Sequence, residues 1–222
     1  MNWDWTYVRE ILPRLMEGLA ITVQATGLAT LLALFVGLGF ALMRRSDNRW
    51  ISRTGYWTVE FIRRTPLLIQ LYFVFYILPD IGLKFSALTC GVLALGLHTS
   101  AYMSEVYRAG IEAVPKGQWE ATRALNLPRF RTWREIILPQ AIPPMIPALG
   151  NYVIMMFKES ALLSTIAVLE LMGTARLLAS ETYRYFEPIT MVGIIFLIVS
   201  LPTAIALRVL ETRLARRVSA GS

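Results

Sequence analysis

The 222-residue chain has a single cysteine, Cys90, and a single histidine, His98. One cysteine excludes an intrachain disulfide and any multi-cysteine metal cluster, and one histidine argues against a histidine-based metal site. No aspartate lies inside a long apolar run. A hydrolytic centre within a membrane needs paired groups on neighbouring helices, such as serine with histidine or two aspartates. That pairing is missing, so an intramembrane enzyme is not the reading to pursue. The first residues carry Trp3, Asp4, Trp5 and Glu10 and lack the basic, apolar, small-residue order of a cleaved signal.

What the chain has in excess is apolar length. Hydrophobic residues make up 55%, and several runs approach the roughly 20 residues that span a bilayer core of about 30 Å as helix. No intervening loop is long enough to bury a core of its own. The expected fold is all-α, a single polytopic domain over 1–222 with five transmembrane helices near 19–43, 56–79, 85–108, 136–157 and 188–208. In the first, Ala29, Ala33, Gly37 and Ala41 recur every fourth residue, a small-residue face that another helix can approach closely. The second is expected to start as helix near Tyr56, with Arg63 and Arg64 snorkelling or paired to Glu60; an interfacial segment leading into Thr65–Pro79 is the alternative. The fourth holds Pro139, Pro143, Pro144 and Pro147, so its beginning should be kinked or partly unwound. The apolar stretch 160–171 is too short to cross and suits a re-entrant or interfacial helix; a sixth span is the competing reading.

The net charge of +7 is unevenly placed. Sixteen of the 22 lysines and arginines fall in three segments: after the first span, in the central loop and in the tail. The positive-inside rule then puts the central loop and the C-terminus in the cytoplasm and the N-terminus outside. It also accounts for the basic balance without nucleic acid; the expected non-protein contacts are membrane lipids.

The central loop, 112–139, is unusual for a connector. Pro115 and Gly117 should stop the preceding helix. Gln118 to Leu125 can form two turns. Asn126 tolerates a left-handed conformation at their end, and Pro128 suits the first turn of the next helix. From there Phe130, Trp133 and Ile137 share one face, giving an amphipathic elbow with an apolar seat and a charged outer part.

Glu120-Ala121-Thr122, Asn126 and Ile136-Ile137-Leu138-Pro139 resemble the "EAA" loop of ABC importer permeases, with Thr122 in place of a second alanine and Asn126 in place of glycine. Glu60-Phe-Ile-Arg-Arg-Thr-Pro-Leu-Leu-Ile-Gln-Leu71, Ser100 to Ile111 and Phe157 to Ser164 are similar to the polar amino acid permeases. Leu97-His98, Asn126-Leu127-Pro128 and Phe157-Lys158-Glu159 look most like the ectoine/hydroxyectoine permease subunits.

The resemblance implies a type I importer of the bacterial inner membrane. Two permease subunits, identical or related, would form the pore, with two cytoplasmic ATPase subunits below and an extracytoplasmic solute-binding protein above. Lys116, Gly117, Glu120, Ala121, Thr122 and Asn126 would meet the ATPase. The chain has no G-x-x-x-x-G-K-[ST], so ATP and Mg would be bound by the partner ATPase and this chain would hold no cofactor. The solute would be ectoine or hydroxyectoine, with a polar amino acid as the alternative. A passive channel is the rival from another class, and it would not need the cytoplasmic elbow.

Candidates for the substrate path are His98, Tyr102, Glu105, Lys158 and Glu159, since ionisable residues in a span are functional candidates. Each has a plainer reading. His98 can serve a purely structural hydrogen bond, Glu105 lies three residues before Arg108 and can pair with it, and Lys158 and Glu159 can form an interfacial ion pair. Tyr72, Phe73, Phe75 and Tyr76 suit packing better than a cation cage.

Overall fold

A computed structural model describes residues 3–219, with side chains as far as Leu214. Among the described residues the secondary structure is entirely helical, in agreement with the expected class. Helix α1 spans Trp5–Arg44, 40 residues, about 60 Å at 1.5 Å per residue. It therefore starts well before the expected Leu19. Asp4 caps it, accepting from the Thr6 and Tyr7 amides.

The small-residue face of α1 is fully buried at Ala29, Ala33 and Ala41, against α4, Ala87–Glu112. At Gly37 a Cβ would lie 2.8 Å from the Ser100 carbonyl oxygen of α4, so glycine is required by proximity rather than by backbone angle. Half of α4 is buried, Thr99, Ser100 and Ser104 included. The hydroxyls of Ser100 and Ser104 donate to carbonyls three residues back, at 2.7 Å each, and need no other partner.

The continuous helix expected from Tyr56 does not form. α2, Arg49–Arg64, stops at Thr65, and the chain resumes with α3, Leu67–Tyr72, which continues as a π-helical stretch Phe73–Ile77 and a 3-10 turn Leu78–Ile81. The two parts meet at 102°. Pro66 has no N–H, and Thr65 before it is extended (φ −100°, ψ 131°), as residues preceding proline tend to be. The side-chain amide of Gln70 fills the gap, donating to the Ile62 and Thr65 carbonyls at 2.8 and 3.0 Å. The chain is thus divided into a separate helix before Thr65 and a second one after it, as in the alternative, and Pro66 is the reason.

The proline-rich fourth segment goes the other way. Arg129–Arg131 (α6) passes through a π-helical stretch, Thr132–Ile137, into α7, Leu138–Glu159, and helix persists through Pro143, Pro144 and Pro147. The irregularity lies ahead of the prolines, in the wider turn. A 3-10 segment Ser160–Ile166 follows, then left-handed Ala167 (φ 62°), then α8, Leu171–Thr182, and α9, Phe186–Ser219. α9 thus carries the basic tail as continuous helix; the side chains of Arg216 and Arg217 lie outside the described ones.

Among the described residues only α1 and α9 are long and apolar enough to cross a membrane alone, and up to four crossings result if each bent pair, α2 with α3 and α7 with α8, counts as one span.

The start of α8 is held by a buried carboxylate. Glu170 accepts from the Met172 and Gly173 amides at 2.9 and 2.7 Å. Thr22 of α1 donates its hydroxyl toward the same carboxylate at 3.4 Å and accepts from the Leu171 amide at 3.1 Å. Replacing Glu170 with Ala strands one buried and one part-buried amide, at a cost of about 1–3 kcal/mol. The expected result is a lower melting temperature of the purified protein in detergent; an unchanged one would mean that the cap is dispensable.

Candidate functional site

The central loop folds into a defined elbow. α4 ends at Glu112, and α5 runs Lys116–Ala124 with Pro115 at its N-cap. Gly117, expected to stop a helix, instead lies inside α5. Its termination is a full Schellman motif: the Leu127 amide donates to the Thr122 carbonyl and the Asn126 amide to the Arg123 carbonyl, each at 3.0 Å. Asn126 sits at φ 48°, the left-handed conformation that asparagine accepts most readily after glycine.

The seat of the elbow differs in part from expectation. Ile137 is fully buried, among Ile111, Val114, Ala141 and Met145. Trp133 packs edge to face on Trp119 with centroids 5.4 Å apart. Phe130 is not in the seat at all, being 70% exposed, and Leu125 is 72% exposed. The π-helical stretch shifts the angular position of everything after Thr132 relative to a regular helix, which separates Phe130 from the other two.

Lys116, Gly117, Glu120, Ala121 and Asn126 all face solvent. Thr122 does not: it is buried, its hydroxyl donating to the Trp119 carbonyl at 2.9 Å. Arg131 donates two bonds of 3.0 Å to Glu135, and these hold that carboxyl below the usual range. Leu125 and Trp119 were not singled out by the sequence; periodicity does not tell which apolar residues of two turns face the seat.

Above the elbow lies a charge cluster. The expected Glu105–Arg108 pair forms, at 2.8 Å. The same carboxylate also takes Arg44 of α1 at 2.5 Å and Arg63 of α2 at 3.1 Å. Glu60 pairs with Arg63 and Arg64, as anticipated, and Glu112 with Arg108. The side chains of Arg44 and Glu105 are only 11% and 21% exposed, so here the ion pairs are largely removed from water. Tyr102 donates to the Arg63 carbonyl at 3.3 Å and lies under the Arg63 guanidinium, with Cζ 5.4 Å from the ring centroid. Its ring continues to His98 at 5.3 Å and to Tyr152 of α7 at 5.7 Å. His98 is buried, and its Nδ1 has no hydrogen-bond partner. The structure thus gathers His98, Tyr102 and Glu105 on one ladder along α4.

Lys158 and Glu159 are not on that ladder, and they do not form the expected pair with each other. Lys158 is exposed, whereas one oxygen of Glu159 is buried without a partner. Adjacent helical residues point about 100° apart, which works against a direct contact.

Two outcomes follow. Asn126→Val places a β-branched residue at positive φ and costs about 1–2 kcal/mol, while Asn126→Gly is tolerated; limited proteolysis of the elbow separates them. Glu105→Gln leaves Arg44 without its counter-charge and costs about 1–3 kcal/mol, read by thermal unfolding. Equal stability of the variant would show the cluster to be solvated in practice.

Residues 29–216 match the family model described as "Binding-protein-dependent transport system inner membrane component". The chain is 42% identical over 216 residues to a probable amino-acid ABC transporter permease protein of Sinorhizobium fredii, covering 97% of this chain and 94% of that one. It is 35% identical over 220 residues to the octopine transport system permease protein of Rhizobium radiobacter, covering 95% and 90%. A solved structure, that of an amino acid ABC transporter with histidines, superposes with a TM-score of 0.90 at 39% identity, over 96% of this chain and all of the other. The chain therefore belongs to the family of binding-protein-dependent transport system inner membrane components, with the type I permease fold, as a permease subunit of an ABC importer and not an enzyme.

Proposed function

We propose that the chain forms, with a second permease subunit, the path by which a polar amino acid crosses the inner membrane, driven by ATP hydrolysis in separate cytoplasmic subunits. The observation that carries this is the elbow: a short helix ended by a Schellman turn, seated on a tryptophan pair, presenting Glu120 and Ala121 outward. Such a surface has a use only if something outside the membrane grips it. Lys116, Gly117, Glu120, Ala121 and Asn126 would contact the ATPase, with exposed Leu125 and Phe130 as apolar anchors. Thr122 would support that contact from beneath. A passive channel has no need of it.

Five spans, made by α1, the helical stretch Leu67–Ile81, α4, α7 and α9, put the N-terminus outside and the elbow and C-terminus in the cytoplasm. The Arg44, Arg63, Arg64 and Arg108 side chains, lying together near the elbow, support that orientation. In this reading the Glu105 cluster closes the inner end of the path, and His98 and Tyr102 line it. Lys158 and the unpartnered Glu159 face the solute near the outer end, where opposite charges suit a zwitterion. The permease lines the path, the extracytoplasmic binding protein delivers the solute, and ATP with Mg acts in the ATPase.

The names of the relatives favour an amino acid over ectoine, toward which details of sequence alone pointed. Uptake of labelled histidine by vesicles holding the complete importer, in competition with glutamine, arginine and ectoine, separates these solutes. Inhibition by amino acids is expected, and inhibition by ectoine alone would reverse the assignment. Glu120→Ala is expected to lower ATP-driven uptake at least tenfold, about 1.4 kcal/mol of coupling, with the permease still inserted. Undiminished uptake would remove the ATPase contact from the elbow.

A further inference from the structure

Helix α1 ends in two adjacent arginines that reach different parts of the molecule. Arg44 reaches the other helices. Its Nη1 lies 2.5 Å from Glu105 of α4, its guanidinium carbon 5.5 Å from the Tyr56 ring centroid of α2, and its carbonyl accepts from Ser52 at 2.9 Å. Arg45 reaches the elbow. Its guanidinium carbon is 5.6 Å from the Trp133 centroid and 6.0 Å from the Trp119 centroid. Among the described residues Arg45 has no carboxylate at ion-pair distance. Two aromatic faces hold a cation that would otherwise be left to water.

The two tryptophans come from the two limbs of the elbow, Trp119 from α5 and Trp133 from the stretch leading into α7. The elbow is joined through the backbone to α4 and α7. Nothing in the chain path joins it to α1. Arg45 supplies that connection, and the neighbouring residue is already bonded to Glu105. We infer that Arg45 is a positioning residue for the transport cycle: it fastens the elbow to the end of α1, so that a displacement of the elbow is handed to the Arg44–Glu105 cluster. This rests on the reading of the elbow as the ATPase contact. Its chemistry asks for a planar or compact cation at position 45 and π faces beneath it.

The test uses the complete importer with Cys90→Ala, spin labels at Leu42→Cys on α1 and Gln118→Cys on α5, and pulsed distance measurement with and without ATP, Mg and vanadate. With Arg45 present, one narrow distance is expected, unchanged by nucleotide, because the two parts move together. Arg45→Ala is expected to broaden the distribution or shift it by several ångströms on nucleotide addition, and Arg45→Lys to restore the narrow distance. Arg45→Ala giving the same narrow distance in both states would overturn the inference, as would Arg45→Lys behaving like Arg45→Ala. Co-isolation of the ATPase with the Glu120→Ala chain, measured alongside, reports on the docking surface separately: its retention at the wild-type level weakens the coupling reading without touching the distance result.

Discussion

The carboxylate of Glu105 is shared by Arg44, Arg63 and Arg108, which arrive from α1, α2 and α4. Withdrawing an ion from water costs several kcal/mol, and a single partner repays this only when the geometry is excellent and the remaining lone pairs are filled. Three guanidinium groups around one carboxylate meet that condition, with Glu60 and Glu112 taking up the further positive charge. The result fixes where three helices end relative to each other. The elbow follows directly on α4, one of the three.

The same demand, that polar groups be satisfied from within, governs each break in the helices. Pro66 turns the chain by 102° and Gln70 takes up the carbonyls set free. The left-handed Ala167 ends the 3-10 segment, and Glu170 with Thr22 restarts the chain as α8. Asn126 closes α5 through two backbone bonds and needs no side chain to do so. Irregular backbone at membrane depth persists only where it is buried against protein in this way.

These features meet at the elbow. The elbow presents an exposed polar face with two apolar residues, Leu125 and Phe130, while its tryptophans stay beneath. Arg45 touches those tryptophans and Arg44 touches Glu105. A rigid handle and a charge cluster one residue apart along α1 are the parts that a two-state rocking motion would use. The aromatic ladder of Tyr152, Tyr102 and His98 runs from that cluster into the helical core.

Much of this was legible from residues alone. The small face of α1, the all-helical class, the left-handed Asn126 and the Glu60 and Glu105 ion pairs each follow from local spacing and from the stereochemistry of one residue. Local rules sufficed because the interacting groups lie within a turn or two of each other. The break at Pro66, the continuity of α7 through its prolines, the exposure of Phe130 and the absence of a Lys158–Glu159 pair were misread or left open, and the Glu170–Thr22 cap went unseen. Each depends on a neighbour distant in sequence, or on a change of helical pitch that periodicity cannot register. Thr22 and Glu170 are 148 positions apart, and Arg44 and Glu105 are 61. The sequence by itself determined which groups could not be left bare in an apolar medium. Only the tertiary structure decided which partner each would find, because that choice is made by which helices are brought side by side.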